Sequence, residues 1–178
     1  MRLILGLVLV LGVAVGASAQ QPVTLAFATL DTESAWYVYG ATMAELLRKA
    51  LPAGSNVDVK PFAGGVGNAK LVAKNETPIA LSFTVTNRWA FEGKEAYDTR
   101  LESLRWVGFP TVVITNKDLP EPVAYTITRA IVENKDALVR GHAGLAGFEP
   151  QIAWQPDKVG IPLYPGAERV YREKGWMK

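Results

Sequence analysis

The 178-residue chain contains no cysteine. That absence removes disulfides, thiolate metal sites, cysteine nucleophiles and lipid anchoring through an N-terminal cysteine. Histidine is almost missing too. His142 stands alone, which is too little for a histidine-rich metal centre. Neither sign of charge dominates: 19 Lys and Arg against 17 Asp and Glu leave a formal charge of +2, which excludes a strongly basic nucleic-acid binder. Charged residues make up 20% and apolar residues 49%, a globular rather than a disordered composition. No Pro/Gly/Ser linker, internal repeat or low-complexity tract divides the chain, so one domain is expected.

What is present begins with an export signal. Arg2 supplies a positive start, residues 3–16 an apolar stretch, and Ala17-Ser18-Ala19 the small residues of a cleavage site. The stretch is short for a membrane span, and Gln20, Gln21 and Pro22 follow it directly. An uncleaved anchor is the competing reading. Residues 1–19 are thus expected to be removed, leaving an exported chain, residues 20–178, whose stability rests on packing alone.

Beyond Gln20, strand and helix signals alternate. Residues 23–28 (VTLAFA) predict a buried strand, and residues 29–34 a polar turn. Ser34 is a candidate N-cap, because its hydroxyl can accept from a free helix N–H. Ala35, Val38, Tyr39, Thr42, Met43, Leu46, Leu47 and Ala50 then recur at helical spacing as an inward face, and Pro52 and Gly54 stop that helix. Residues 57–60 predict a second strand. A short helix follows with Ala69, Val72 and Ala73 inward, then a third strand at 79–83 (IALSF) and a helix over 84–92. Residues 112–115 (VVIT) predict one strand more. Asp118 and Glu121 predict a capping box, with Pro120 in the first turn, for a helix running through Val123, Ile127, Ala130, Ile131 and Leu138 to about Arg140. Residues 141–157 read as loose, and Pro165 opens a last helix carrying Tyr171. The order is that of an α/β domain with a mostly parallel sheet flanked by helices.

Two strand-to-helix junctions carry the chemistry on offer, residues 29–37 and 63–68. In a parallel α/β sheet both fall at the carboxyl ends of strands, where such sheets bind ligands. A helix N-terminus presents unpaired N–H groups and a positive dipole end, which suits a carboxylate or phosphate. Gly64, Gly65 and Gly67 allow close backbone approach, and Asn68 can cap the helix or hold a ligand. Thr29, Ser34, Ser82 and Thr84 offer hydroxyls. Trp36 and Tyr37 lie off the inward stripe and can wall a pocket. The plainer alternatives stand beside these: the glycines form a turn, and the two aromatics pack on a neighbouring loop. The GGVGN string lacks the Lys-Ser/Thr of a phosphate loop and the spacing of a dinucleotide fingerprint, so no cofactor is expected. No metal site is expected either. His142 sits in a Gly-rich segment with no carboxylate near in sequence, and reads as a solvated surface histidine. A hydrolase would need Ser82 or Thr84 to find it as a base.

The run Ser34-Ala35-Trp36-Tyr37-Val38-Tyr39-Gly40, then Ala63-Gly64-Gly65-Val66-Gly67-Asn68, then Ala80-Leu81-Ser82-Phe83-Thr84 with Arg88-Trp89-Ala90-Phe91-Glu92-Gly93, resembles the solute-binding subunit of tripartite ATP-independent periplasmic (TRAP) transporters of the TAXI type. Asp118-Leu119-Pro120-Glu121 and the stretch Pro165-Gly166-Ala167-Glu168-Arg169 agree in order. The resemblance implies a periplasmic-binding-protein-like (type II) lobe, periplasmic and not an enzyme. A small anionic solute, an amino acid or a dicarboxylate, is held between two lobes and delivered to the TRAP membrane subunits. Carried over, the first-lobe contacts are Thr29, Ser34, Ala35, Trp36, Tyr37, Gly64, Gly65, Val66, Gly67, Asn68, Ser82, Phe83 and Thr84. Family chains are longer, and the part missing here is the middle, which builds the second lobe. Residues 20–105 and 106–178 are then two segments of one lobe. Glu33 and Ser34 stand where the family has glycines, and Pro78 interrupts the entry to the third strand. The alternative role is an interaction module that self-associates through the face left by the missing lobe.

Overall fold

The computed structural model describes residues 21–93 and 110–178. The expected export signal, residues 1–19, lies outside them. Four strands form one sheet: β1 (Thr24–Ala28), β2 (Asn56–Lys60), β3 (Ile79–Phe83) and β4 (Thr111–Thr115), in the order β2-β1-β3-β4. β1 runs parallel to both β2 and β3, and β4 is antiparallel to β3 with Leu81 opposite Val113. The sheet is thus mostly parallel, as expected.

Helices cover both faces. On one, α1 (Ala35–Ala50) and α4 (Glu121–Glu133) close over Leu25, Phe27, Val57, Ile79 and Leu81 with Met43, Leu47, Val123 and Ile127. On the other, α2 (Gly64–Ala73) packs Ala69 and Val72 on Ala28, Ala80 and Ile114. Each large aliphatic or aromatic side chain buried this way contributes about 1.5–3 kcal/mol. The small α3 (Thr84–Phe91), α5 (Lys135–Gly141), α6 (Pro156–Val159) and α7 (Pro165–Glu173) complete the fold.

Ser34 caps α1 as expected: its Oγ accepts from Tyr37 N at 3.1 Å. At the other end Pro52 forces Leu51 into an extended conformation, and the helix stops. Of the expected stripe, Met43 and Leu47 are buried and Tyr39 and Leu46 pack on the core, but Trp36, Gly40 and Ala44, outside that stripe, are buried with them. Ala35, Val38 and Ala50 are exposed. Both stripes satisfy the helical period, and Gly40 decides between them. A Cβ there would lie 2.4 Å from Thr29 Cγ2, so only a glycine lets α1 approach the end of β1 this closely. The Thr29 hydroxyl, donating to Lys60 O at 3.0 Å, holds that methyl in place.

Three further expectations are corrected. α2 begins at Gly64, five residues ahead of the expected inward run, and its Ala73 is exposed. The capping box at Asp118 and Glu121 does not form: α4 starts after Pro120 with no side-chain cap, because Asn116 Oδ1 takes the N–H groups of Asp118 and Leu119 instead. The expected single helix to Arg140 breaks at Asn134, whose Nδ2 donates to Ala130 O at 2.7 Å and so competes for a carbonyl of the last turn. The loose region holds two 3-10 turns, Ala143–Gly147 and Pro150–Ile152, and α6.

α7 docks on α4 without a spacer. A Cβ on Gly166 would lie 2.5 Å from Glu121 O. Lys174 Nζ reaches Glu133 at 2.5 Å, and Tyr125 OH donates to Glu173 at 2.6 Å. The Lys174 ammonium holds the Glu133 carboxyl below the usual range, against the opposing effect of its partial burial.

Gly40→Ala gains about 1 kcal/mol of helix propensity but overpacks Thr29 at a cost of about 1–3 kcal/mol. Urea unfolding is expected to show a net loss, recovered in the Gly40→Ala/Thr29→Ser double variant, which lacks the clashing methyl. A carboxyl depressed in the folded state stabilises above its unfolded pKa, and that contribution disappears as pH falls through the folded value. Glu133→Gln is therefore expected to flatten the acid limb of a Tm-against-pH curve below about pH 4.3, the ordinary glutamate value.

Candidate functional site

With β1 between β2 and β3, the β1–β2 and β2–β3 crossovers leave on opposite faces, and the sheet opens between the carboxyl ends of β1 and β3. Such a switch point is where open α/β sheets receive ligands. Asn68 sits at it, completely buried. Its Nδ2 donates to Thr29 O and Leu81 O, each at 2.8 Å, and lies 3.4 Å from Ala28 O. Three surrounding carbonyls fix the amide's orientation, since a flip would set oxygen against oxygen. Oδ1 points the other way with no donor. Asn68 does not cap α2; it ties the end of β1 to the middle of β3.

The two expected junctions lie side by side. The Trp36 ring, at the start of α1, contacts Phe83 with centroids 4.6 Å apart. Phe83 in turn covers Gly65, where a Cβ would fall 2.6 Å from the ring. Trp36 is therefore buried floor rather than an outer wall. Gly64 has φ +72°, open to glycine at little cost, and Leu30 packs against it. A Cβ on Gly67 would meet Ala63, Val66 and Tyr37 are half-buried, and Ala35 is exposed.

The hydroxyls are already engaged. Thr29 donates to Lys60 O, Ser34 to Asp31 O at 2.6 Å, and Ser82 to Gly65 O at 3.0 Å. Thr84 donates to Lys158 O at 2.6 Å and lies 3.2 Å from Pro110 O. Neither Ser82 nor Thr84 bonds His142, whose Nδ1 accepts from Gly144 N and whose ring meets Tyr39 edge-on. The donors left at the site are backbone N–H groups and the buried Asn87 amide, the Thr84 N–H being already given to Pro110 O. No side chain caps the first turn of α2 or of α3, and these helices pack together on β3. Asp31, Glu33 and Tyr37 are the ionisable residues of the two junctions and none is basic, so a negative charge held there would meet helix dipoles rather than a counter-ion.

Sequence reasoning missed Thr86 and Asn87. Thr86 Oγ1 donates to Phe83 O and lies 3.2 Å from Ser82 Oγ. Asn87 is 3% exposed, and neither amide atom has a partner. The available signal was a polar pair one turn into a short helix. It is faint, because Arg88 follows and no apolar run isolates the pair.

Asn68→Ala is expected to cost about 1–3 kcal/mol by orphaning buried carbonyls. Asn68→Asp sets a carboxylate against those same oxygens and is expected to cost more at pH 7, with the deficit shrinking on acidification. Asn87→Leu removes an unsatisfied amide and is expected to be neutral or stabilising by up to about 1 kcal/mol. Urea titrations of the three variants check the order.

The NMT1-like family matches residues 27–109 and 105–175, most of the 178-residue chain. The chain belongs to this family, which is periplasmic solute-binding-like.

Proposed function

We propose that the chain is the first lobe of a TAXI-type TRAP solute receptor, exported to the periplasm and not an enzyme. It takes a small carboxylate, an amino acid or a dicarboxylate, on the uncapped first turns of α2 and α3. The observation that carries the reading is the pairing of those two N-termini at the switch point marked by Asn68. Anions need donors. The nearby hydroxyls already donate to carbonyls, so backbone N–H groups and helix dipoles do the holding. Gly65 and Phe83 shape the floor.

A small buried ligand needs walls on both sides. The family match divides within residues 105–109, where the resemblance places the second lobe, and this supports reading the chain as one wall of a two-walled cleft. Delivery to TRAP membrane subunits follows from the same reading. Exposed Phe62 and Phe91 support a companion proposal, in which a lone lobe self-associates as an interaction module. Light scattering that finds a strict monomer at high concentration counts against that companion.

Titration calorimetry with L-amino acids and four- or five-carbon dicarboxylates tests the receptor. Saturable binding is expected, and Gly65→Val is expected to weaken it at least tenfold by driving Phe83 out of place, a loss of about 1.4 kcal/mol. If no member of the panel binds saturably at millimolar concentration, the receptor reading fails.

A further inference from the structure

The lone histidine joins two elements. His142 ends α5, its backbone N–H donating to Leu138 O at 3.0 Å. It also opens the 3-10 turn Ala143–Gly147, whose Leu145 N–H donates back to His142 O at 3.0 Å. The ring is half-buried rather than solvated, and its Nδ1 accepts from Gly144 N at 2.9 Å. A side-chain acceptor in this place is usually Ser, Thr, Asn or Asp, none of which ordinarily changes charge between pH 5 and pH 8. Imidazole does.

That bond fixes the state of the ring. Turned over, the imidazole would set Cδ2 against the Gly144 N–H, and carbon does not accept. Nδ1 therefore keeps its lone pair and the proton sits on Nε2. Imidazolium has two donors and no acceptor, so protonation sets N–H against N–H at the cap, and no rotation of the charged ring restores it. Around the ring, α1 presents Tyr39, edge-on with centroids 4.9 Å apart. α5 carries Arg140 two residues back, with Lys135 and Asp136 in its first turn, and Glu149 lies beyond the 3-10 turn. Among the described residues no carboxylate bonds the ring, so none offsets the loss of the Gly144 bond.

What the cap holds is apolar. A Cβ on Gly141 would collide with Thr42, and one on Gly144 with Tyr39, so these two glycines let the segment lie close on α1. Leu145, inside the turn, and Phe148, just after it, then pack on the main core.

We propose that His142 is a pH-sensitive latch: the neutral ring caps the 143–147 turn and keeps Leu145 and Phe148 seated on the core, and the protonated ring lets that turn loosen. The released ring has a second place to go. The last carbonyls of α5 lack helical partners and attract cations, so the imidazolium can turn its donors toward them. The cap is thus present at high pH and lost as pH falls.

The test uses the full chain, labelled with nitrogen-15, and amide exchange corrected for its intrinsic pH dependence. Between pH 8 and pH 5, protection at Gly144, Leu145 and Phe148 is expected to fall at least about threefold, while the strands and α4 hold theirs. A scalar coupling between Gly144 N and His142 Nδ1 is expected at pH 8 and absent at pH 5. His142→Asn keeps an acceptor that does not titrate, and is expected to protect the turn equally at both pH values. His142→Ala is expected to match the acid wild type at both; should it fail to fold, the wild type and His142→Asn still decide. Unchanged protection in the wild type overturns the proposal, and so does an equal fall in His142→Asn. A fall spread evenly over the sheet overturns it too, because the response would then be global unfolding rather than release of one turn.

Discussion

One primary amide governs the organisation of this molecule. Asn68 bonds the carbonyl of Thr29, just past the end of β1, and that of Leu81, in the middle of β3, at the place where the two crossovers part, and it does so while fully buried. Buried polar groups with several partners are costly to disturb, so they fix geometry closely. Here the fixed quantity is the distance between two β-α junctions. Trp36, Phe83 and Gly65 stack behind it, and the first turns of α2 and α3 take their positions from it.

The electrostatic character of the junctions follows from the same arrangement. Their hydroxyls are consumed by carbonyls of neighbouring turns, and no buried cation lies among them. What remains unengaged is peptide backbone and the buried Asn87 amide. Backbone donors read charge and shape more than side-chain identity, so selectivity for a solute belongs to whatever closes the other side of the cleft. Thr84 matters twice: it is the first residue of α3, and its hydroxyl ties that turn to Lys158 O and Pro110 O.

Much of the fold was legible because it is local. Four apolar runs became four strands, and Ser34 became a cap, since each depends on a few adjacent residues. The failures share a cause. The inward face of α1 depended on Gly40 meeting Thr29, eleven residues back and on another element. The capping box lost to Asn116, an equally local competitor that pattern alone did not rank. At the site, the glycines and hydroxyls were found by type, but their use was not, because Ser82 to Gly65 and Thr84 to Lys158 are contacts between elements. Asn87 was missed for the reason that makes it notable: its burial comes from tertiary packing and leaves no periodic trace.

The placement of β1 also sets an order in time. Its neighbours in the sheet come from residues 56–60 and 79–83, so the Asn68 bonds require three separated stretches of chain to meet. No intermediate holding only the β1-α1-β2 unit can contain them. Non-local parallel pairing of this kind slows folding, which keeps a chain extended for longer after it is made. On the exported reading proposed above, that delay leaves the chain able to thread a narrow channel before it folds.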